Sequence, residues 1–246
     1  MKTLTTIFVF LFSFTLTLHA QDFTVASGKT LTIAKSGSLT VGGAFSNSGT
    51  VTLNSDSNEF AVIIVQGTSS GNITYERHVA DEGSNEWDYI GSPVAGQTIQ
   101  ALIDNNSSLA TNGSQVAIGA FDNSAGDTAI LMYTNYSTTG NSTTITSGQG
   151  FAMATDEGST TATVDFTGTL NVSDVTFAID DESSSNTNNG KFNLVANPFP
   201  SYIAFNAAAV SASGATEAFL TINATTNDNL HNSYAGLWGY DGDGTF

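Results

Sequence analysis

The chain has 246 residues, of which 40% are hydrophobic and 11% charged, with no cysteine and 22 acidic against 5 basic side chains, a formal net charge of −17. Such a surface repels nucleic acid and anionic membranes. Without cysteine, burial and β-ladders rather than disulfides must hold the fold, and the length suffices for one large or two small cores.

At the amino terminus Lys2 precedes the apolar run Ile7-Phe8-Val9-Phe10-Leu11-Phe12, which continues through Leu16 and Leu18 to Ala20. Charged, then apolar, then small is the order of a secretory leader. The run is interrupted by Thr and Ser and is shorter than the ~20 apolar residues that span a bilayer. Residues 1–20 are therefore expected to be a signal peptide, cleaved after Ala20 to leave Gln21-Asp22-Phe23 as the mature start. Cleavage removes Lys2 and no acid, so the formal charge moves from −17 to −18.

Residues 21–76 form the first predicted region. Ser-Gly turns followed by apolar-Thr-apolar strands recur as SGKTLTI at 27–33, SGSLTV at 36–41 and SGTVTL at 48–53. Leu31/Ile33, Leu39/Val41 and Val51/Leu53 fall on one face and Thr32, Thr40 and Thr52 on the other. Stacking successive units into a short β-solenoid-like pile would bury the apolar pairs. The run Phe60 to Val65 is apolar on both faces and is expected to be covered on both.

Residues 77–246 are predicted as an antiparallel β-sandwich, with a jelly-roll topology left open, so the whole chain is all-β. The clearest strand is Ala162 to Val172, with Val164, Phe166, Leu170 and Val172 inward and Thr163, Asp165, Thr167 and Asn171 outward. Further strands are expected at 116–121, 130–136, 151–154, 175–179, 192–196 and 237–240. Short helices are expected at 98–103 and 203–210. The last ten residues read as a strand, an Asp-Gly turn and the start of a returning strand, which predicts a reading frame cut short.

Chemistry-bearing motifs are few. Gly67-Thr68-Ser69-Ser70-Gly71 matches the hydrolase pattern G-x-S-x-G, but β structure rather than a helix follows it, so no nucleophile is expected there. Glu76, Glu82, Glu86 and Asp88 crowd near Trp87, from which a paired-carboxylate glycosidase could draw, but alternation of Trp87, Tyr89 and Ile90 with Asp88 on a strand is the reading preferred, with Trp87 packed inward. Asp241 and Asp243 have the spacing of calcium ligands without the remaining acids of such a loop, and the hairpin turn accounts for both. Zinc and phosphate-loop patterns are absent from the sequence. No enzyme activity and no cofactor are expected, with calcium the one metal left open.

Taken in order, the SG-x-L-T-V units, Ile73-Thr74-Tyr75-Glu76-Arg77, Trp87-Asp88-Tyr89-Ile90-Gly91-Ser92-Pro93-Val94, Gly148-Gln149-Gly150-Phe151, Asn193-Leu194-Val195-Ala196-Asn197-Pro198-Phe199-Pro200-Ser201 and Leu237-Trp238 resemble the large secreted surface proteins of Bacteroidetes that use the type IX secretion system. The resemblance implies export across the outer membrane and an adhesive or structural role. It departs at the C-terminus, where nothing matches the sorting domain of such proteins. Asp127-Thr128-Ala129 resembles the site this lineage O-glycosylates, at Thr128. The expected function is a non-enzymatic secreted or surface protein with an adhesion, matrix or scaffold role. The alternative is a carbohydrate-binding accessory module, with Trp87 and Trp238 as ligand contacts. Partners are then an extracellular glycan or protein and the secretion machinery.

Overall fold

In the computed structural model the chain is described over residues 21–203, apart from 80–86, 126–131, 157, 159–161, 183, 186–189 and 191. It is all-β, with one helix and four separate sheets among the described residues.

The first eight strands are β1 (Phe23–Val25), β2 (Thr30–Ile33), β3 (Ser38–Val41), β4 (Phe45–Asn47), β5 (Thr50–Leu53), β6 (Val62–Val65), β7 (Ser69–Ser70) and β8 (Ile73–His78). Each pairs in parallel with the strand three places on: β1 with β4 and β4 with β7, β2 with β5 and β5 with β8, β3 with β6. The chain therefore winds in circuits of 20 to 24 residues, since Thr30 lies opposite Thr50 and Ser38 opposite Val62. This corrects the expected stacking of successive Ser-Gly units. Unit 27–33 pairs with unit 48–53, and unit 36–41 pairs with 62–65, because one circuit holds three strands and units 27–33 and 36–41 are two strands of the same circuit.

The alternation read from the sequence holds within this winding. Val25, Ile33, Val41, Phe45, Val51, Leu53, Ile63 and Ile73 are buried, while Thr30, Thr32 and Thr40 are exposed. Tyr75 is also inward, and its hydroxyl donates to the Ala61 carbonyl at 3.0 Å, so its polar end is satisfied in the core. Ile64 departs from expectation: it is 38% exposed, so its face of β6 is covered at Val62 and open at Ile64.

Strand β8 is where the pairing changes sense. One side of it carries the parallel ladder to β5; the other pairs antiparallel with β14 (Thr163–Gly168) over six residues, Thr163 opposite His78 to Gly168 opposite Ile73. The boundary drawn at 76/77 falls inside this strand. The outer edge of β14 is capped by side chains that imitate a strand. Asn106 accepts from the Asp165 N–H at 2.7 Å and donates to its carbonyl at 3.0 Å, Gln97 accepts from the Thr167 N–H at 3.2 Å, and Ser108 donates to the Thr163 carbonyl at 3.0 Å. An open edge would template pairing with another chain, and these caps remove it.

The helix α1 (Ile99–Asn105) supplies Asn106 at its end and buries Ile99 and Leu102. Thr98 caps its start, Oγ1 accepting from the Ala101 N–H at 3.1 Å. The second sheet runs β10 (Thr111–Asn112), β11 (Gln115–Phe121), β13 (Gly150–Met153), β9 (Asp88–Gly91), with β12 (Tyr133–Ser137) also on β11, all antiparallel. Its inner face, with Val116, Ile118, Phe151 and Met153, joins Val164, Phe166, Ile73 and Leu53 in one hydrophobic cluster that reaches from Val25 to Leu170. Two expected strands do not form ladders: 175–179 pairs with nothing named as a strand, and 192–196 makes a single bridge from Val195 to Gln149. The expected elements at 237–240 and 203–210 fall outside the described residues, apart from Ile203.

Candidate functional site

Period two sends every second residue of the five-stranded sheet outward, and on that outer face small residues form a floor beneath aromatic rings and Asn135. On β11 the outward residues are Ala117, Gly119 and Phe121, and on β13 Gly150 and Ala152. Neighbouring strands contribute Tyr89 from β9 and Tyr133 from β12, with Trp87 one step before β9. Trp87 packs on Ala110, Ala117 and Ala154. Ala152 pairs with Tyr89 on one side and with Gly119 on the other, while Tyr133 pairs with Phe121. A Cβ at Gly119 would stand 3.2 Å from Tyr133 Cβ and 3.6 Å from its Cδ1, so the missing side chain lets the tyrosine lie down over the strand.

The rings touch in series. Tyr89 and Tyr133 stack with centroids 5.8 Å apart and planes 14° apart, and Phe121 meets Tyr133 edge-on at 5.4 Å. All three, and Trp87, are half-buried: seated on the floor with part of each ring open to solvent. Burial, and then the hydrogen bond with Tyr89, push the Tyr133 hydroxyl far above the ordinary tyrosine range, so it stays protonated throughout the physiological range.

Past Phe121 the stripe opens into a groove of about 300 Å³ bordered by Asp122, Asn123, Asp180 and Asn193. Its wall is tied down by amides. Asn123 Nδ2 donates to the carbonyls of Asp180 and Gly190, both at 2.9 Å, and Asn193 holds Asp180 through its N–H at 3.1 Å and its carbonyl at 2.9 Å. At the groove floor, Leu194 fills the space that a side chain at Gly150 would take.

Of the residues singled out from the sequence, Trp87 is placed on this face, next to Tyr89. Trp238, Asp241, Asp243 and Thr128 lie outside the described residues. Among the described residues no three His, Cys, Asp or Glu side chains converge on a metal position, and no helix is long and apolar enough to cross a membrane. The expected carboxylate cluster around Trp87 is not assembled by the described residues. Asp88 shares the inner side of β9 with Ile90 and is buried, opposite in direction to Trp87, and Glu76 lies in the other sheet. Glu82 and Glu86 are outside the described residues.

Glu76 has a different acidic neighbour. It faces Asp165 directly across the β8–β14 ladder. Burial raises both carboxyls above their ordinary range, and Glu76 is raised further by the charge of Asp165. Sequence alone could not find this pair, because Asp165 is 89 residues away and the register of two strands had to be known.

The G-x-S-x-G segment has a structural cause. Ser69 sits in β7 opposite Phe45, with its Oγ buried. A Cβ at Gly67 would stand 2.5 Å from the Gly43 carbonyl oxygen, and one at Gly71 1.9 Å from the Asn47 carbonyl oxygen. Both glycines are contact points between successive circuits of the winding, and no strained strand-to-helix elbow is present.

The aromatic face eluded the sequence reading because its floor carries the information. Trp87-x-Tyr89 and Ala117-x-Gly119-x-Phe121 alternate visibly, but small residues announce nothing until the strands that place rings above them are paired. No curated protein and no solved structure matches the chain. Residues 9–239 match the family described as Domain of unknown function (DUF8693), and the chain belongs to that family.

Proposed function

We propose that this chain is a non-enzymatic, secreted or cell-surface β-module whose outer aromatic face binds extracellular carbohydrate, with the parallel winding serving as its scaffold. The observation that carries this is the contiguous series Tyr89, Tyr133 and Phe121, laid on Ala152 and Gly119 beside Trp87 and leading into a polar groove. Pyranose rings have apolar C–H faces and hydroxyl rims, so they stack on aromatic faces and hydrogen-bond at their edges. A face of small residues alone would offer no such contact.

Adhesion, matrix or scaffold roles follow if the glycan belongs to a cell wall or matrix, and an accessory role follows if the chain is joined to a larger secreted protein. Export through the leader at 1–20, and passage by a type IX route as the sequence resemblance implies, belong to the same proposal. So do Trp238 as a further contact, O-glycosylation at Thr128 and calcium at Asp241 and Asp243.

The test is a glycan array on the purified mature chain, followed by titration of its best ligand. Trp87→Ala and Tyr133→Ala, each with an unchanged far-ultraviolet circular dichroism spectrum, are expected to weaken that ligand about tenfold or more, equivalent to ~1.4 kcal/mol. Absence of glycan binding on the array, or binding indifferent to both substitutions, would sink the proposal.

A further inference from the structure

The groove beyond Phe121 carries two acids, one held by its carboxylate and one by its backbone. Asp122 accepts from the Ser124 N–H at 2.9 Å and from its hydroxyl at 2.6 Å, bonds that hold its carboxyl below the ordinary range and keep it charged. Asp180 is exposed, and its backbone is held at both ends by Asn193. Asn123, whose amide ties Asp180 to the body of the sheet, is 8% exposed, so the wall is built into the fold rather than draped over it.

The charge around the groove is one-sided. Among the described residues, the far wall is made by Phe177, Ala178, Asp180, Asn193 and Leu194, which bring one acid and no cation. Among the described residues that line the groove, the charged side chains are Asp122 and Asp180. A uronate or sulfate group brought beside Asp122 and Asp180 meets like charge. A sugar hydroxyl donates to a carboxylate, and a sugar ammonium donates with charge assistance as well. Because the Asp122 carboxylate and the Asp180 backbone are already held, binding carries a reduced cost of arranging them.

Resting on the glycan-binding reading above, we infer that the Asp122–Asp180 groove selects glycans by charge: the face takes neutral and amine-bearing pyranose chains, the amine-bearing ones most tightly, and rejects chains bearing uronate or sulfate. The aromatic stripe supplies stacking that is common to all pyranoses, and the groove supplies the discrimination.

Three probes on the mature full chain separate these contributions: a β-1,4-linked glucosamine hexamer with free amines, its fully N-acetylated counterpart, and a polyuronate hexamer, each titrated calorimetrically at a slightly acid pH that keeps the amine charged. The free-amine hexamer is expected to bind about tenfold more tightly than the N-acetylated one at low salt, with the advantage shrinking as salt screens it. The polyuronate is expected to bind at least about tenfold more weakly than the N-acetylated hexamer. The double variant Asp122→Asn, Asp180→Asn, with unchanged circular dichroism, is expected to reduce the amine advantage, read as the ratio of the two hexamer affinities in that same variant, to about twofold or less. An amine preference that survives the double substitution overturns the assignment to this groove. Polyuronate binding as tight as the free-amine hexamer, yet lost in Tyr133→Ala, overturns the charge selectivity and leaves the glycan-binding face standing. Failure of all three probes together with a blank array overturns both.

Discussion

The two halves of the molecule share one core and present opposite surfaces. The parallel winding turns Thr30, Thr32, Thr40 and Thr50 outward, and on the sheet it shares with β14 the hydroxyls of Thr74 and Thr167 lie 3.3 Å apart across the last ladder. The five-stranded antiparallel sheet turns rings outward over alanine and glycine. In the winding, neighbouring circuits approach so closely that small residues are demanded at the contacts, and the outer positions carry short hydroxyl side chains. In the antiparallel sheet, small residues at Gly119 and Ala152 create room instead of being forced by lack of it, and the rings occupy that room. Hydroxyl-coated strands make a scaffold that binds water, whereas ring-covered strands make a face with something to offer a ligand.

Breaking what the halves share is expected to have the largest effect. Phe166 is fully buried on β14, in the cluster common to winding and sheet. Phe166→Ala is expected to cost ~3–5 kcal/mol, and circular dichroism and tyrosine fluorescence should lose their signals together on heating. Two separate transitions would show that the halves fold independently despite the common core. Gly71→Ala strikes the winding alone. Its backbone φ is +82°, and the new Cβ would collide with the Asn47 carbonyl, so left-handed strain of ~1–2 kcal/mol adds to overpacking of ~1–3 kcal/mol. Gly96→Ala is the control: φ is +89° but nothing lies within 4 Å, so only the strain is expected, and the difference between the two melting temperatures isolates the cost of close circuits.

How much of this was legible depended on whether a feature is local. Thr98 announces a helix start, and the alternation at 163–168 and 115–121 announces strands, because each is written within one element. The circuit length was not, since the Ser-Gly units at 27, 36 and 48 look like successive layers of a pile, when 27 and 36 lie on two sides of one circuit and 48 returns to the side of 27. The short strands β1, β4 and β7 were missed for a related reason: two or three residues are too few for alternation to show. The aromatic face was legible at Trp87 and Tyr89 and illegible at Gly119 and Ala152. The Glu76–Asp165 pair and the Asn106 cap needed a register that no window of sequence contains.

The next contrast lies at the edge of β14, where the antiparallel pairing ends and side chains take over. Asn106 satisfies both backbone groups of Asp165 and also donates to the Leu102 carbonyl at 2.8 Å, and it is 6% exposed. Asn106→Leu, which preserves bulk and removes the bonds, is expected to cost ~1–3 kcal/mol for the groups left unpaired. Light scattering should also rise on prolonged incubation, as the freed edge recruits other chains. Stability lost without any association would mean that the cap serves packing alone.

The smallest expected effect is the most specific to the seam between the halves, and it has a sign opposite to ordinary acid denaturation. Glu76 and Asp165 are like charges directly opposed on β8 and β14, a pairing that opposes the fold when both are ionised. On the same outer side of the two strands, the titratable neighbour is His78, two residues on from Glu76 and opposite Thr163; Arg77 points the other way, over the Phe60 ring at 4.6 Å. Because burial raises both carboxyl pKa values in the folded chain, the penalty is fully present above those raised values and is relieved as pH falls through them towards the unfolded values. Asp56 behaves in the opposite way: its bond to Lys35 lowers it to about 2, so its contribution is present above the unfolded value and is lost as pH falls towards 2. From neutral pH down to the ordinary carboxylate range the seam should therefore tighten before the Asp56 contact is lost. Asp165→Asn removes the repulsion at every pH and is expected to gain ~0.2–1 kcal/mol at pH 7. In melting temperature that is a rise of up to about 4 °C. The gain should shrink as the wild type is acidified towards pH 4, and a gain that is constant with pH would assign it to packing rather than to the proton.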